Sequence, residues 1–241
     1  MPESTLPSPD IILEAGSVLV VNKPGGLLTQ APPGIDSLEL RIKRWLIERD
    51  QKPGKSYLGV PHRLDRPVSG VIVVAKNVRA TNRISQQFQL RTVTKKYWAV
   101  VEGDVPDSEG CWVDSMRKIP DEARSEIVDS DHPEGKEAIL NFRLLRQSHG
   151  LSLLEIQLQT GRTHQIRVQC SARGCPIVGD TLYGSSMAFG PQTPDIRKRW
   201  IALHSRQIML EHPVDKTPVA CVAPLADYWS VFEDFHARLR E

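Results

Sequence analysis

The sequence predicts an α+β fold, a mixed and largely antiparallel sheet flanked by helices. Three observations lead there. Short strand-like apolar runs come in clusters, segments with helical periodicity are few and irregularly spaced, and no strand–helix alternation repeats as a βαβ barrel requires. With 241 residues and 40% hydrophobic content, the chain can bury a full core. Residues 1–10 are expected to be a flexible N-terminal segment and residues 11–241 a single domain, with neither an internal repeat nor a low-complexity stretch.

Val18-Leu19-Val20-Val21 reads as a buried strand, closed by the turn signal Asn22-Lys23-Pro24-Gly25-Gly26. After the loop at 31–34, Asp36 is expected to cap a helix, with Glu39 three residues on. Leu38, Ile42, Trp45 and Leu46 share one face of that helix. Residues 71–75 form a second buried strand, and 78–90 a helix in which Ala80, Ile84 and Phe88 recur at four-residue spacing. Residues 96–103 read as a strand ending in a turn. An acidic middle of short strands and hairpins follows, clearest in the alternation of 137–145. Leu151–Leu158 is a strand leading into Thr160-Gly161, and Gln165–Ala172 a helix that stops at Gly174. Residues 203–210 make another strand, and 231–239 a terminal helix.

Formal net charge is only +2, so bulk charge says little about partners, but its distribution is uneven. Residues 102–137 hold twelve acidic and four basic side chains, whereas 151–210 hold seven basic and three acidic. One face can thus attract phosphate while another repels it. The four cysteines, Cys111, Cys170, Cys175 and Cys221, contain no C-x-x-C pair. This spacing is neither a disulfide framework nor a paired-cysteine zinc pattern, and it fits buried thiols in a reducing compartment. The N-terminus lacks a basic start and an apolar stretch of signal-peptide length, and no run reaches the ~20 apolar residues of a membrane span. A cytoplasmic protein with no membrane partner is expected.

Two clusters carry chemistry. His62-Arg63-Leu64-Asp65 is followed by Ser69-Gly70, and Thr160-Gly161-Arg162-Thr163-His164-Gln165-Ile166-Arg167 lies far downstream. Together they offer one acid, several guanidinium forks and a glycine-bounded loop, which suits an enzyme that works on a polyanion with a lone aspartate. Other chemistries lack their parts. There is no H-E-x-x-H, and His62, His164 and His204 are scattered. No G-x-S-x-G elbow serves Ser69. Nucleotide-binding glycine motifs are absent, and a glycosidase needs two facing carboxylates. Taken singly, Asp65 reads as an ion-pair or turn residue more readily than as a catalyst, and Tyr97 as an ordinary strand tyrosine, while His62 and His164 are compatible with core histidines and Leu203 with a core leucine.

Together, these blocks and others resemble the signature motifs of the RluA family of RNA pseudouridine synthases. Val20-Val21-Asn22-Lys23-Pro24-Gly25-Gly26-Leu27-Leu28 is similar to the first, and His62-Arg63-Leu64-Asp65 with Ser69-Gly70 to the second. Lys95-Lys96-Tyr97-Trp98-Ala99-Val100-Val101-Glu102-Gly103 resembles the block that follows. Residues 161–167, together with 176–184, resemble the third, and Leu203-His204-Ser205 with His212-Pro213 the closing strand. The blocks stand in family order over most of the chain. Two positions depart from the pattern. Val68 replaces a usual threonine, and Gln169 stands where the family often has histidine, which touches loop geometry rather than reaction class.

The resemblance implies the pseudouridine synthase catalytic fold without an appended S4-type RNA-binding domain. It implies isomerisation of uridine to pseudouridine in structured RNA, either ribosomal or transfer RNA, by a monomer. It also implies the roles. Asp65 acts at the ribose, Tyr97 faces the uracil and takes the C5 proton, and Arg167 partners the Asp65 carboxylate. Arg63, His62, Leu203, Arg162 and His164 bind substrate, with Arg63 helping to hold the target nucleotide out of its helix. Asp65, Tyr97, Arg167 and Arg63 are expected to line one cleft. Isomerisation imports no group and oxidises nothing, so no cofactor or metal is expected.

Overall fold

The computed structural model of the chain describes residues 6–51, 56–232 and 235. Its strands are β1 (Asp10–Ala15), β2 (Val18–Lys23), β3 (Ser69–Ala75), β4 (Thr94–Glu102), β5 (Glu109–Lys118), β6 (Ser125–Val128), β7 (Lys136–Ser148), β8 (Leu151–Leu158), β9 (Leu203–Glu211) and β10 (Pro218–Val222). The helices are α1 (Leu38–Asp50), α2 (Val78–Gln89) and α3 (Gln165–Ala172), with 3-10 turns at Thr181–Tyr183, Ile196–Lys198 and Asp227–Val231. This is the α+β class that the clustered strands predict. The described residues divide into two compact units, one running up to Val93 with Ser205–Pro224, the other Thr94–His204 with the residues from Leu225 on.

In the first unit, β2 pairs antiparallel with β1 on one side and β3 on the other, setting Val20 opposite Val73 and Lys23 opposite Gly70. β9 neighbours β3, and β10 pairs antiparallel with β9. Every residue of β3 is buried, as its unbroken run Val71-Ile72-Val73-Val74-Ala75 requires of a strand covered on both faces. Ala80 and Ile84 of α2 pack into one core with Val18, Val20, Val71, Val73, Ile208 and Leu210. The α2 N-terminus is closed by Asn77, whose Oδ1 accepts the Ala80 N–H at 2.8 Å.

The cap of α1 differs from expectation by one residue. Ser37, not Asp36, is the N-cap, and its Oγ accepts the Leu40 N–H at 3.2 Å. Asp36 instead holds the Arg41 guanidinium with both oxygens, at 2.9 and 2.5 Å. Both residue types cap well, and a fork-matched arginine five residues on takes the carboxylate away from that task. Leu38, Ile42 and Leu46 are buried as the periodicity predicts, whereas Trp45 is half-buried beneath the Arg49 guanidinium, 4.5 Å from its ring centroid.

The second unit holds an antiparallel sheet in the order β4–β8–β7–β5–β6. Tyr97 stands opposite Ile156, and a bulge interrupts β7 between Leu144 and Arg146. Val168 of α3 packs with Met116, Ala138 and Tyr183. α3 stops where Gly174 predicts, in a Schellman closure. The Cys175 N–H reaches the Cys170 carbonyl at 3.2 Å and the Gly174 N–H reaches that of Ser171 at 3.0 Å, with Gly174 at φ +71°. All four cysteines are free thiols; Cys170, Cys175 and Cys221 are buried, while Cys111 is exposed on β5. The terminal helix expected at 231–239 falls almost wholly outside the described residues. Among the described residues, no helix is long and apolar enough to cross a membrane.

One backbone approach limits the sequence sharply. Gly70 lies at φ +112°, and a Cβ placed there would stand 2.3 Å from the Ser205 carbonyl oxygen and 2.6 Å from its nitrogen. Both atoms are backbone, so neither can swing aside. Gly70→Ala is therefore expected to cost about 3 kcal/mol from combined strain and overpacking. Chemical denaturation of the purified variant checks this, and unchanged stability would show that β3 and β9 can separate without cost.

Candidate active site

Asp65 sits on the loop between α1 and β3, and the loop's conformation is set from several sides. The Thr29 hydroxyl donates to the Leu64 carbonyl at 2.8 Å and accepts the Leu64 N–H at 3.2 Å. The Arg66 Nε donates to the Gly26 carbonyl at 3.0 Å, and the Val68 N–H closes a turn onto the Asp65 carbonyl at 3.1 Å. His62 accepts the Val73 N–H on Nε2 at 2.9 Å and stacks on Phe88 with ring centroids 4.5 Å apart. One imidazole nitrogen thus serves the sheet, and its ring braces the loop entry. Arg63 is exposed and Asp65 half-buried, while Leu64 and Val68 are buried. Val68 fills an interior apolar position.

Lys23 completes this loop. It is wholly buried, and its ammonium donates to the carbonyls of Pro24 at 2.9 Å, Leu27 at 2.8 Å and Arg66 at 3.2 Å. These bonds tie the turn after β2 directly to the Asp65 loop. Burial pushes the Lys23 pKa down to about 7, an effect that the nearby Asp65 charge opposes and Arg66 reinforces. In the sequence, Lys23 reads as part of a turn and of the first motif with no role assigned, and Thr29 carries no reading. Side chains that bond distant backbone carry no periodicity by which to find them.

The second unit places Tyr97, Leu203, Arg162, His164 and Arg167. Tyr97 is buried on β4 and Leu203 is buried at the start of β9. The loop before α3 is braced internally by Gln165, whose Oε1 accepts the Thr160 hydroxyl at 2.8 Å and the Arg162 N–H at 3.0 Å. The Arg162 Nε donates to the Glu137 carbonyl at 2.8 Å. His164 enters the helix at φ +56°, in the left-handed region that few non-glycine residues occupy. Its Nδ1 lies 2.8 Å from the Tyr183 hydroxyl.

Arg167 is 4% exposed and forms a two-point ion pair with Asp180, itself 2% exposed. The distances are 2.6 Å from Nε to Oδ2 and 2.8 Å from Nη2 to Oδ1. The Tyr183 ring lies under the same guanidinium, 4.9 Å from Cζ to the centroid. Asp180 and Tyr183 belong to the 176–184 block, and sequence alone assigns neither a role. Gln169 is fully buried and turns toward β5. Its Nε2 donates to the Asp114 carboxylate at 2.6 Å, so it packs α3 onto β5.

The structure therefore sets His62, Arg63 and Asp65 on one loop of the first unit, which Lys23 ties to the turn after β2 through the Arg66 carbonyl. In the second it brings His164 and Arg167 together around Asp180 and Tyr183, while Arg162 bonds instead to the Glu137 carbonyl and to Gln165. Among the described residues, no group of three His, Cys, Asp or Glu side chains is placed to hold a metal ion.

A family model described as RNA pseudouridylate synthase matches residues 17–172. An uncharacterized RNA pseudouridine synthase of Synechocystis is 32% identical over 239 residues, covering 96% of this chain and 69% of its own. The ribosomal large subunit pseudouridine synthase D of Xylella fastidiosa is 35% identical over 225 residues, covering 90% of this chain and 66% of its own. The chain thus spans about two thirds of the length of these relatives. In fold, it is similar to human RNA pseudouridylate synthase domain containing 4, with a TM-score of 0.75 and 24% identity over 96% of this chain and 93% of that one.

The Lys23 shift has a definite sign in stability. In the unfolded chain Lys23 titrates near its ordinary value of 10.5, against about 7 when folded. Between those values the unfolded state binds more protons, so its contribution to stability rises with pH, by up to about 1.4 kcal/mol per unit. Below pH 7 that contribution is level. Unfolding titrations of wild type and Lys23→Met should show the difference between them growing in favour of wild type above pH 7. A constant difference up to pH 10 would mean that the buried ammonium stays charged.

Proposed function

The chain belongs to the RluA family of RNA pseudouridine synthases, and from that premise we propose that Asp65 carries out the isomerisation at the ribose of the target uridine. The observation that carries this reading is the fixation of the Asp65 loop. Thr29, Arg66 and Lys23 hold its backbone, and the buried Lys23 amine, charged below about pH 7, stands within electrostatic reach of a half-buried carboxylate. Such over-determination keeps a reacting group in place at no cost at the moment of reaction.

The chemistry needs little beyond positioning. The N1–C1′ bond breaks, the uracil turns while bound, and a C5–C1′ bond forms; C5 loses a proton and N1 gains one. No electrons are gained or lost. Asp65 serves as a nucleophile at C1′ or as a base at the 2′ carbon, and both routes require its ionised form. Tyr97 offers a flat face to the uracil and a phenol for the C5 proton. Arg167 supplies positive charge, and Asp180 fixes the plane of its fork. Exposed Arg63, two residues before Asp65, helps hold the nucleotide out of its helix.

His62, Leu203, Arg162 and His164 complete the substrate contacts in this reading. His62 and Arg162 do so while also bracing backbone. Arg41, Arg44, Arg173 and the Arg197-Lys198-Arg199 run add phosphate contacts, supported by the exposure of Arg44 and of Arg197, with Arg41 and Arg173 also paired to Asp36 and Asp114. The substrate is structured ribosomal or transfer RNA, and the ribosomal synthase among its relatives favours the former. The enzyme works as a cytoplasmic monomer.

Asp65→Asn keeps the size of the side chain and removes its charge. It is expected to lower single-turnover pseudouridine formation by at least about 10³-fold. RNA affinity should stay within about twofold, because binding is spread over many phosphate contacts. Rapid-quench turnover and filter binding on one RNA check both halves. Substantial turnover by the variant would remove Asp65 from the chemistry.

A further inference from the structure

The 3-10 turn Thr181–Tyr183, with the residue that precedes it, delivers two groups to Arg167 from one short stretch of backbone. The Asp180 carboxylate takes the Nε–Nη2 edge of the guanidinium, and the guanidinium Cζ lies over the Tyr183 ring. The Tyr183 N–H bonds back to the Asp180 carbonyl at 2.9 Å, so carboxylate and ring move as one piece. The two-point contact specifies the plane of the fork, and the ring beneath Cζ limits where the fork can sit.

Tyr183 is itself anchored at its far end. Its hydroxyl accepts the Ser125 N–H of β6 at 2.9 Å and lies 2.8 Å from His164 Nδ1. The His164 ring meets the Tyr183 ring edge-on, with centroids 5.6 Å apart and planes at 89°. Tyr183 is 7% exposed and packs with Met116, Ala138 and Val168, which come from β5, β7 and α3. Any buried phenol needs partners for its hydroxyl, and here those partners, a strand N–H and the residue that starts α3, also fix where the ring lies beside Arg167.

We propose that Tyr183 is a positioning residue for Arg167, transmitting the placement of the β5–β6 hairpin to the guanidinium. The ring limits where the fork can sit, and the Ser125 and His164 contacts set the ring. This rests on the reading that Arg167 works in the isomerisation. It extends that reading to a residue touching neither the RNA nor the reacting atoms, and it makes the hairpin part of what aligns the arginine.

A double-mutant cycle on the full chain tests it, with single-turnover pseudouridine formation measured well below the melting temperature of each variant. Tyr183→Phe keeps the ring and loses the hydroxyl contacts. It is expected to slow turnover about tenfold, with the RNA dissociation constant changed less than about twofold. Tyr183→Leu removes the ring as well and should slow it further. In an Arg167→Lys background, where no planar fork remains to be held, Tyr183→Phe should cost less than about twofold. A core-filling role would instead lower the melting temperature and leave the rate per folded molecule unchanged.

If Tyr183→Phe does not fold, Ser125→Pro serves in its place, because it deletes the anchoring N–H and leaves the phenol intact. The same fall is expected from it. An undiminished rate in whichever of these variants folds overturns the proposal. So does a full tenfold effect that persists when Tyr183→Phe is combined with Arg167→Lys. A wild-type rate for Arg167→Lys alone is a different result, since it overturns the role given to Arg167 and the proposal with it.

Discussion

Lys23 directs its ammonium at the carbonyls of Pro24, Leu27 and Arg66, and in doing so joins the turn after β2 to the loop that presents Asp65. A charged group with no exposed surface is costly to bury, and three carbonyl acceptors are what make this one tolerable. Its geometry also explains the neighbouring sequence. Pro24, Gly25 and Gly26 turn the chain so that carbonyls converge on the amine, and Gly26 offers its own carbonyl to Arg66. Thr29 then clamps Leu64 through both backbone groups, so the residues on either side of Asp65 are held independently. The catalytic reading of Asp65 depends on this frame more than on any feature of Asp65 itself.

The second unit uses a different device. Arg167 and Asp180 form a buried ion pair, and such pairs contribute little net stability because both charges lose their water. Their value lies in geometry, since a two-point contact specifies a plane that a lysine cannot reproduce. The Tyr183 ring beneath the same group adds a second constraint, on where the fork can sit. The strained backbone at His164 fits this picture, because the left-handed residue starts α3 at the angle that brings its imidazole to the Tyr183 hydroxyl.

Much of the fold was legible in the sequence, for identifiable reasons. The unbroken apolar run of β3, the four-residue recurrence in α2 and the glycine at the end of α3 are local signals, and each element appears where those signals place it. The strands β1 and β10 escaped because neither is a continuous buried run: β1 has no fully buried residue and β10 alternates between buried and exposed. The α1 cap shifted by one residue because Arg41 competes for Asp36, a side-chain pairing that propensity does not register. Within the candidate site, the motifs singled out Asp65, Tyr97 and Arg167. They could not show the contacts through which Lys23, Thr29, Asp180 and Tyr183 hold the Asp65 loop and the Arg167 fork, since most of these join segments far apart in the chain.

Whether this chain converts specific uridines in cellular RNA through the Asp65 carboxylate is tested most directly by pseudouridine mapping. Total RNA from cells lacking the protein is mapped beside that from cells restored with wild type or with Asp65→Asn. One or a few sites are expected to vanish in the deletion and to return only with wild type. An unchanged map in the deletion strain, from cells in which the restored protein still binds structured RNA, would contradict it.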